Sequence, residues 1–130
     1  MQVRLATQDD EEAIWQFWEE LELFDPYWAC APGRHHPNRS QLEAWLRGDF
    51  AIALCDDNGI VMTEVFNPRT ARSHVTNVQR ERFADAVPAV FSWVKERVGC
   101  SPWGACVSPE MTENFLSIGF TQTGRILRWT

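Results

Sequence analysis

The chain has 130 residues, a length that suits one domain with one continuous core. Its 12 Lys and Arg stand against 18 Asp and Glu, a formal net charge of −6 that repels polyphosphate and argues against nucleic acid as a partner. The apolar runs are strand-length, far below the roughly 20 residues of a membrane-spanning helix, and Met1 leads straight into a strand and an acidic helix rather than a signal peptide, so a cytoplasmic protein is expected.

Val3 to Ala6 alternates apolar and polar residues and reads as a short strand. Thr7-Gln8-Asp9-Asp10 has the form of a capping box, and Ile14, Phe17, Trp18 and Leu21 then fall on one helical face with Glu11, Glu12, Glu19 and Glu20 elsewhere. Asp25 to Asn38 carries Pro26, Pro32, Gly33 and Pro37 and reads as a long loop, and Phe24 beside it with Tyr27 and Trp28 within it either cover the core or line a pocket. Ser40 and Glu43 suggest a second capping box for a two-turn helix with Leu42, Trp45 and Leu46 inward and Gly48 as terminator.

Phe50–Cys55 and Ile60–Phe66 are strand-like runs joined by Asp56-Asp57-Asn58-Gly59, a hairpin. Asn67-Pro68 ends the second run, and a polar connector leads to a long helix from about Asn77 to Val98. Its inward face is Phe83, Val87, Val90, Phe91, Val94 and Val98, and Pro88 is expected to kink it or divide it in two. Trp103–Val107 reads as a strand, Ser108-Pro109 as a helix start, Gly119 as that helix's end and Phe120–Trp129 as a last strand, bent at Gly124. Strand, helix, helix, strand, strand, helix, strand, helix, strand is an α/β (α+β) order, and it predicts a single mixed sheet of about five to six strands flanked by about four helices.

Cys30, Cys55, Cys100 and Cys106 show no C-x-x-C spacing and read as buried thiols. His35-His36 near Cys30 lacks the spacing of a zinc motif, so no metal site is expected. There is no P-loop, no G-x-S-x-G elbow and no H-E-x-x-H helix. Seven tryptophans are many for so small a core, and some are expected on the surface against a protein partner.

The opening Val3-Arg-Leu-Ala-Thr-Gln-Asp-Asp10 before an acidic helix, and the closing Asn114-Phe-Leu-Ser-Ile-Gly-Phe120 between helix and strand, resemble the GNAT acyltransferase family. The small size and the Trp-to-Val strand before Phe-Leu-x-Ile-Gly also resemble a reduced bacteriophage branch of that fold, which includes small internal virion proteins and implies host cytoplasm or virion as location. The resemblance implies an acetyl-CoA site at a Gln/Arg-x-x-Gly-x-Gly/Ala loop after the fourth strand, where backbone N–H groups at a helix start hold pyrophosphate. That place is assigned here to Arg72–Asn77, which has no glycine; Arg69, Arg72, Thr76, Asn77 and Arg80 remain as candidate cofactor contacts, or else as a solvated connector. Glu64 matches the family's general base by position, with a polar residue on a half-exposed strand as its plain alternative. Phe115 stands where the resemblance implies a tyrosine acting as general acid, and phenylalanine cannot donate a proton. Two functions follow: a degenerate GNAT-fold protein with a binding or structural role, or an acyl-CoA-dependent N-acetyltransferase with an atypical loop.

Overall fold

The computed structural model describes residues 1–24, 37–105 and 109–130, apart from the side chains of 22–24. The expectations for Phe24, Tyr27, Trp28, Cys30, His35, His36, Cys106 and Ser108 lie outside the described residues.

Strand β1 (Gln2–Leu5) runs through a 3-10 turn into helix α1 (Glu11–Phe24). The turn is the expected capping box: the Thr7 backbone N–H donates to the Asp10 carboxylate at 2.8 Å, and Arg4 donates twice to the same carboxylate at 2.7 and 2.9 Å. These donors hold the Asp10 carboxyl down at about 2. Ile14, Phe17, Trp18 and Leu21 are buried as their spacing requires. Each fully buried side chain of this size contributes roughly 1.5–3 kcal/mol.

Helix α2 (Arg39–Ala44) is capped by Asn38 and Gln41, not by Ser40 and Glu43: the Asn38 side chain accepts from the Gln41 N–H at 2.9 Å, and Gln41 returns a bond to the Asn38 N–H at 3.0 Å. One wide turn, Trp45–Asp49, closes at Gly48, whose φ of 119° is open to glycine. The hairpin of β2 (Ala51–Asp56) and β3 (Ile60–Phe66) forms as expected.

Residues 72–77 are not the polar connector of the sequence reading, because Ser73–Val78 form strand β4, paired antiparallel with β3. The strand was disguised by polar residues on its inward face: Ser73 and Thr76 turn toward the buried Glu64 rather than toward an apolar core. Helix α3 (Phe83–Val98) therefore starts six residues later than expected. It runs unbroken through Pro88, whose missing N–H falls opposite the carbonyl of Ala84, an exposed residue.

Strand β5 (Trp103–Ala105), helix α4 (Pro109–Ser117) and strands β6 (Phe120–Thr123) and β7 (Ile126–Trp129) complete the chain. The expected last strand is a hairpin, turned at Gly124 with φ 60°. The described residues thus hold four helices and seven short strands, in a four-stranded sheet β1-β2-β3-β4 and a three-stranded sheet β5-β7-β6. One parallel bridge, Arg72 to Trp103, joins them.

Helices cover both faces of the larger sheet. On one, α1 and α2 pack Ile14, Trp18, Leu42 and Trp45 against Ile52, Leu54 and Val65. On the other, α3 and α4 pack Val87, Val90, Phe91, Val94 and Phe115 against Ala53, Met62, Phe66 and Val78. Burial on two sides explains why β2 and β3 read as near-continuous apolar runs.

Two expectations are corrected. Cys100 is exposed, while Cys55 is buried as read. None of the six described tryptophans is exposed: Trp18 and Trp45 are buried, and Trp15, Trp93, Trp103 and Trp129 are half-buried. Trp15, Trp103 and Trp93 are each covered by an arginine, which lets one domain absorb more of them than a count suggests.

Candidate active site

The turn Asn67–Arg72 builds the point where the two sheets meet. The Asn67 side chain accepts from the N–H groups of Arg69 (2.8 Å) and Thr70 (3.3 Å), while its backbone exchanges bonds with Ala71 and Arg72 at 2.9 Å. The turn forces Ala71 to φ 60°, a conformation that costs about 1–2 kcal/mol for a residue with a Cβ. Trp103 clasps it, its indole N–H donating to the Thr70 carbonyl at 3.2 Å and its backbone N–H to the Ala71 carbonyl at 3.4 Å. Gly104 permits the contact, since a Cβ there would lie 3.2 Å from the Ser73 Cβ.

Beyond this vertex β4 pairs with no strand on its β5 side among the described residues. The two strands meet at that one parallel bridge, and β4 continues from it toward the start of α3.

Glu64 lies beneath β4, fully buried, on the face covered by α3. Ser73 donates to one carboxyl oxygen at 2.6 Å and Thr76 to the other at 2.5 Å. Such distances suit hydroxyls donating to a carboxylate. Burial works in the opposite direction and dominates, pushing the carboxyl up to about 8. The half-exposed alternative for Glu64 is therefore overturned. Ser73 and Thr76 are themselves half-buried, so the three groups connect a buried proton-holding site with the open flank of β4.

The register of β4 slips between Val75 and Ser73, and the extra residue is His74. It is exposed, stacks on Phe50 with ring centres 4.8 Å apart, and meets Trp45 edge-on at 5.3 Å. The sequence reading missed His74, because a bulge is set by the register between strands and leaves no local pattern.

The connection from β4 to α3 is Gln79–Arg82. Set at that place, Gln79-Arg-Glu-Arg-Phe-Ala84 matches the family's Gln/Arg-x-x-Gly-x-Gly/Ala pattern at its first and last positions and has Arg82 at the middle glycine. The match was present in the sequence but hidden because β4 was read as a polar connector and the start of the helix. Arg82 has φ −107°, which any residue adopts, and pairs with Asp57 at 3.1 Å and Asp85 at 3.3 Å. The N–H groups of Gln79, Arg82 and Phe83 are taken up by the carbonyls of Val61, Gln79 and Arg80.

The five candidate cofactor contacts do not converge. Arg80 stands in the connection itself, Thr76 bonds Glu64, and Asn77 is buried in β4. Arg69 and Arg72 lie at the opposite end of β4, about 20 Å away for six strand residues. Phe115 is a core residue, edge-on to Phe83 and Phe120 at 5.2 and 5.0 Å.

Solved structures resemble this arrangement over nearly its whole length. The GNAT domain of Streptomyces lividans PAT matches with TM-score 0.67 at 18% identity, over 97% of this chain and 86% of its own. A probable acetyltransferase from Staphylococcus epidermidis matches with TM-score 0.63 at 15% identity, over 98% and 97%. A putative acetyltransferase from Salmonella typhimurium with its cofactor acetyl-CoA matches with TM-score 0.60 at 15% identity, over 98% and 89%. No family model and no curated protein matches the sequence. The likeness is one of architecture: the chain has the GNAT fold.

Proposed function

We propose that this chain is an acyl-CoA-dependent N-acyltransferase with a reduced cofactor loop. The observation that carries the reading is the parallel bridge from Arg72 to Trp103, past which β4 has no further strand partner on that side among the described residues and leads to the start of a 16-residue helix. A helix start favours anions through its N–H groups and dipole. The residues present fit acetyl-CoA in part: Gln79, Ala84 and the first turn of α3 occupy the family's positions, and Arg80 adds charge beside them. The Salmonella typhimurium neighbour, a structure with acetyl-CoA, supports the same reading.

The cofactor, when bound, would supply an acyl thioester: the acceptor nitrogen bonds the acyl carbon and loses one proton, and the C–S bond breaks to give a thiolate that takes up a proton. In this chain Ser73 faces the vertex and Glu64 stands behind it, so Glu64 accepts the amine's proton through the Ser73 hydroxyl rather than by contact. A carboxyl held near 8 exchanges a proton readily at neutral pH. Phe115 supplies no acid, which leaves the departing thiolate to solvent.

Titration with acetyl-CoA tests the reading by calorimetry and by melting temperature, since a ligand of the folded state stabilises it. We expect heat and a rise in melting temperature, followed by thiol release with an amine acceptor. No heat and no shift at millimolar acetyl-CoA would overturn it.

That outcome would favour a second reading, a degenerate GNAT-fold protein with a binding or structural role, including a phage component. Its support is the loss of two family groups at once, with Arg82 at the glycine position tied into ion pairs and Phe115 at the tyrosine position packed in the core.

A further inference from the structure

Arg4, Arg39 and Arg82 pair with carboxylates. Arg72 and Arg128 do otherwise. Both place their guanidinium against the Trp103 ring, at 5.3 and 6.0 Å from its centre, and neither has a carboxylate partner among the described residues. The strand register sets them in one row. Arg72 bridges Trp103, Trp103 lies opposite Arg128, and Arg128 lies opposite Thr121, so cation, indole, cation and hydroxyl cross the outer face from β4 to β6. Directly opposed residues on neighbouring strands present side chains to the same face. Arg72, Arg128 and Thr121 are exposed, and Trp103 is half-buried.

Two like charges beside one ring in a chain of net charge −6 concentrate positive potential where the sheets part. A guanidinium forks onto a carboxylate with two parallel bonds, and the indole between them offers an apolar surface for the carbon stem that bears it. A polyamine would meet the same pair with repulsion.

We propose that the Arg72–Trp103–Arg128 row binds the carboxylate of the acyl acceptor, which is therefore an amine that also carries an acid, of the amino-acid or acidic-peptide class. The inference rests on the acyltransferase reading for the word acceptor, and on the row alone for the anion. The row lies at the vertex, where Arg72 directly precedes Ser73 in the chain and presents its side chain to the face opposite the Ser73 hydroxyl.

The test is titration of the protein with L-glutamate, with L-glutamine and spermidine as controls, read on the indole N–H resonance of Trp103 assigned through Trp103→Phe. We expect saturable displacement by glutamate, weaker displacement by glutamine and none by spermidine. Arg72→Gln and Arg128→Gln should each weaken glutamate binding about tenfold or more, as expected for the loss of a charged hydrogen bond. Equal responses to glutamate and spermidine, no saturation, or unchanged affinity in the double variant would overturn the proposal. Glutamate binding without acetyl-CoA binding would keep the anion row and remove the acyltransferase reading. Acetyl-CoA binding without glutamate binding would do the reverse.

Discussion

Ser73 on β4 donates its hydroxyl to the fully buried Glu64 on β3 at 2.6 Å, and the pair sits where β4 leaves its neighbour β5. A carboxyl in such a place is a liability to the fold as well as a tool. Burial raises it to about 8 against an ordinary value of 4.5, so the folded protein holds a proton that the unfolded chain releases. Its contribution to stability is complete below pH 4.5 and is lost as pH rises through 8. Wild-type stability should therefore fall between these values by up to ~1.4 kcal/mol per pH unit from this group. Glu64→Gln should flatten that slope and be the more stable form at pH 9, as urea unfolding at a series of pH values would reveal. Parallel pH profiles for the two proteins would sink the assignment.

Arg82 stands where the family pattern has glycine, with its guanidinium on Asp57 and Asp85. Arg82→Gly should tighten acetyl-CoA binding by opening the approach to the backbone, while costing under about 1 kcal/mol for two largely exposed ion pairs. Calorimetry on both proteins decides it. Unchanged or weaker binding would mean that the connection before α3 does not meet the phosphates.

The Trp18 indole N–H donates to the Thr63 hydroxyl at 2.8 Å between α1 and β3, with both residues buried. Trp18→Phe leaves that hydroxyl without its donor in a dry interior. We expect a loss of about 1–3 kcal/mol in denaturant unfolding, before any cavity term. Trp18→Phe with Thr63→Val should recover part of it, and a double variant no better than the single would count against the bond's importance.

Gly119 and Gly124 both have positive φ, 115° and 60°, but only at Gly119 would a Cβ meet a neighbour, the Trp129 ring at 3.3 Å. Gly119→Ala should cost on the order of 1–3 kcal/mol, and Gly124→Ala about 1 kcal/mol. Thermal unfolding of the two variants checks the order, and the reverse order would show that the α4–β6 corner tolerates a side chain.

Much of the fold could be read because its signals are local. The capping box at Thr7, the apolar face of α1, the β2–β3 hairpin and the Ile-Gly-Phe corner each lie within a few residues. Helical spacing likewise marked Phe83, Val87, Val90, Phe91 and Val94 as inward even though the start of α3 was misplaced. β4 escaped because its inward hydroxyls answer a carboxyl nine to twelve residues away, and a strand so built looks like a polar connector. That one reading placed the connection before α3 at 72–77 and so put Thr76 and Asn77 among the candidate cofactor contacts.

The amino-acid order by itself marked the Thr7 cap, the inward faces of α1 and α3 and the β2–β3 hairpin, since periodicity and caps depend on neighbours along the chain, while the GNAT-like plan entered through the resemblance of the opening and closing segments. Tertiary structure alone decided that Glu64 is sealed beneath β4, that His74 is bulged out of it, and that Arg72, Trp103 and Arg128 share one row. Burial, bulge and row are properties of register between strands distant in sequence, where a shift of one residue turns every side chain to the opposite face.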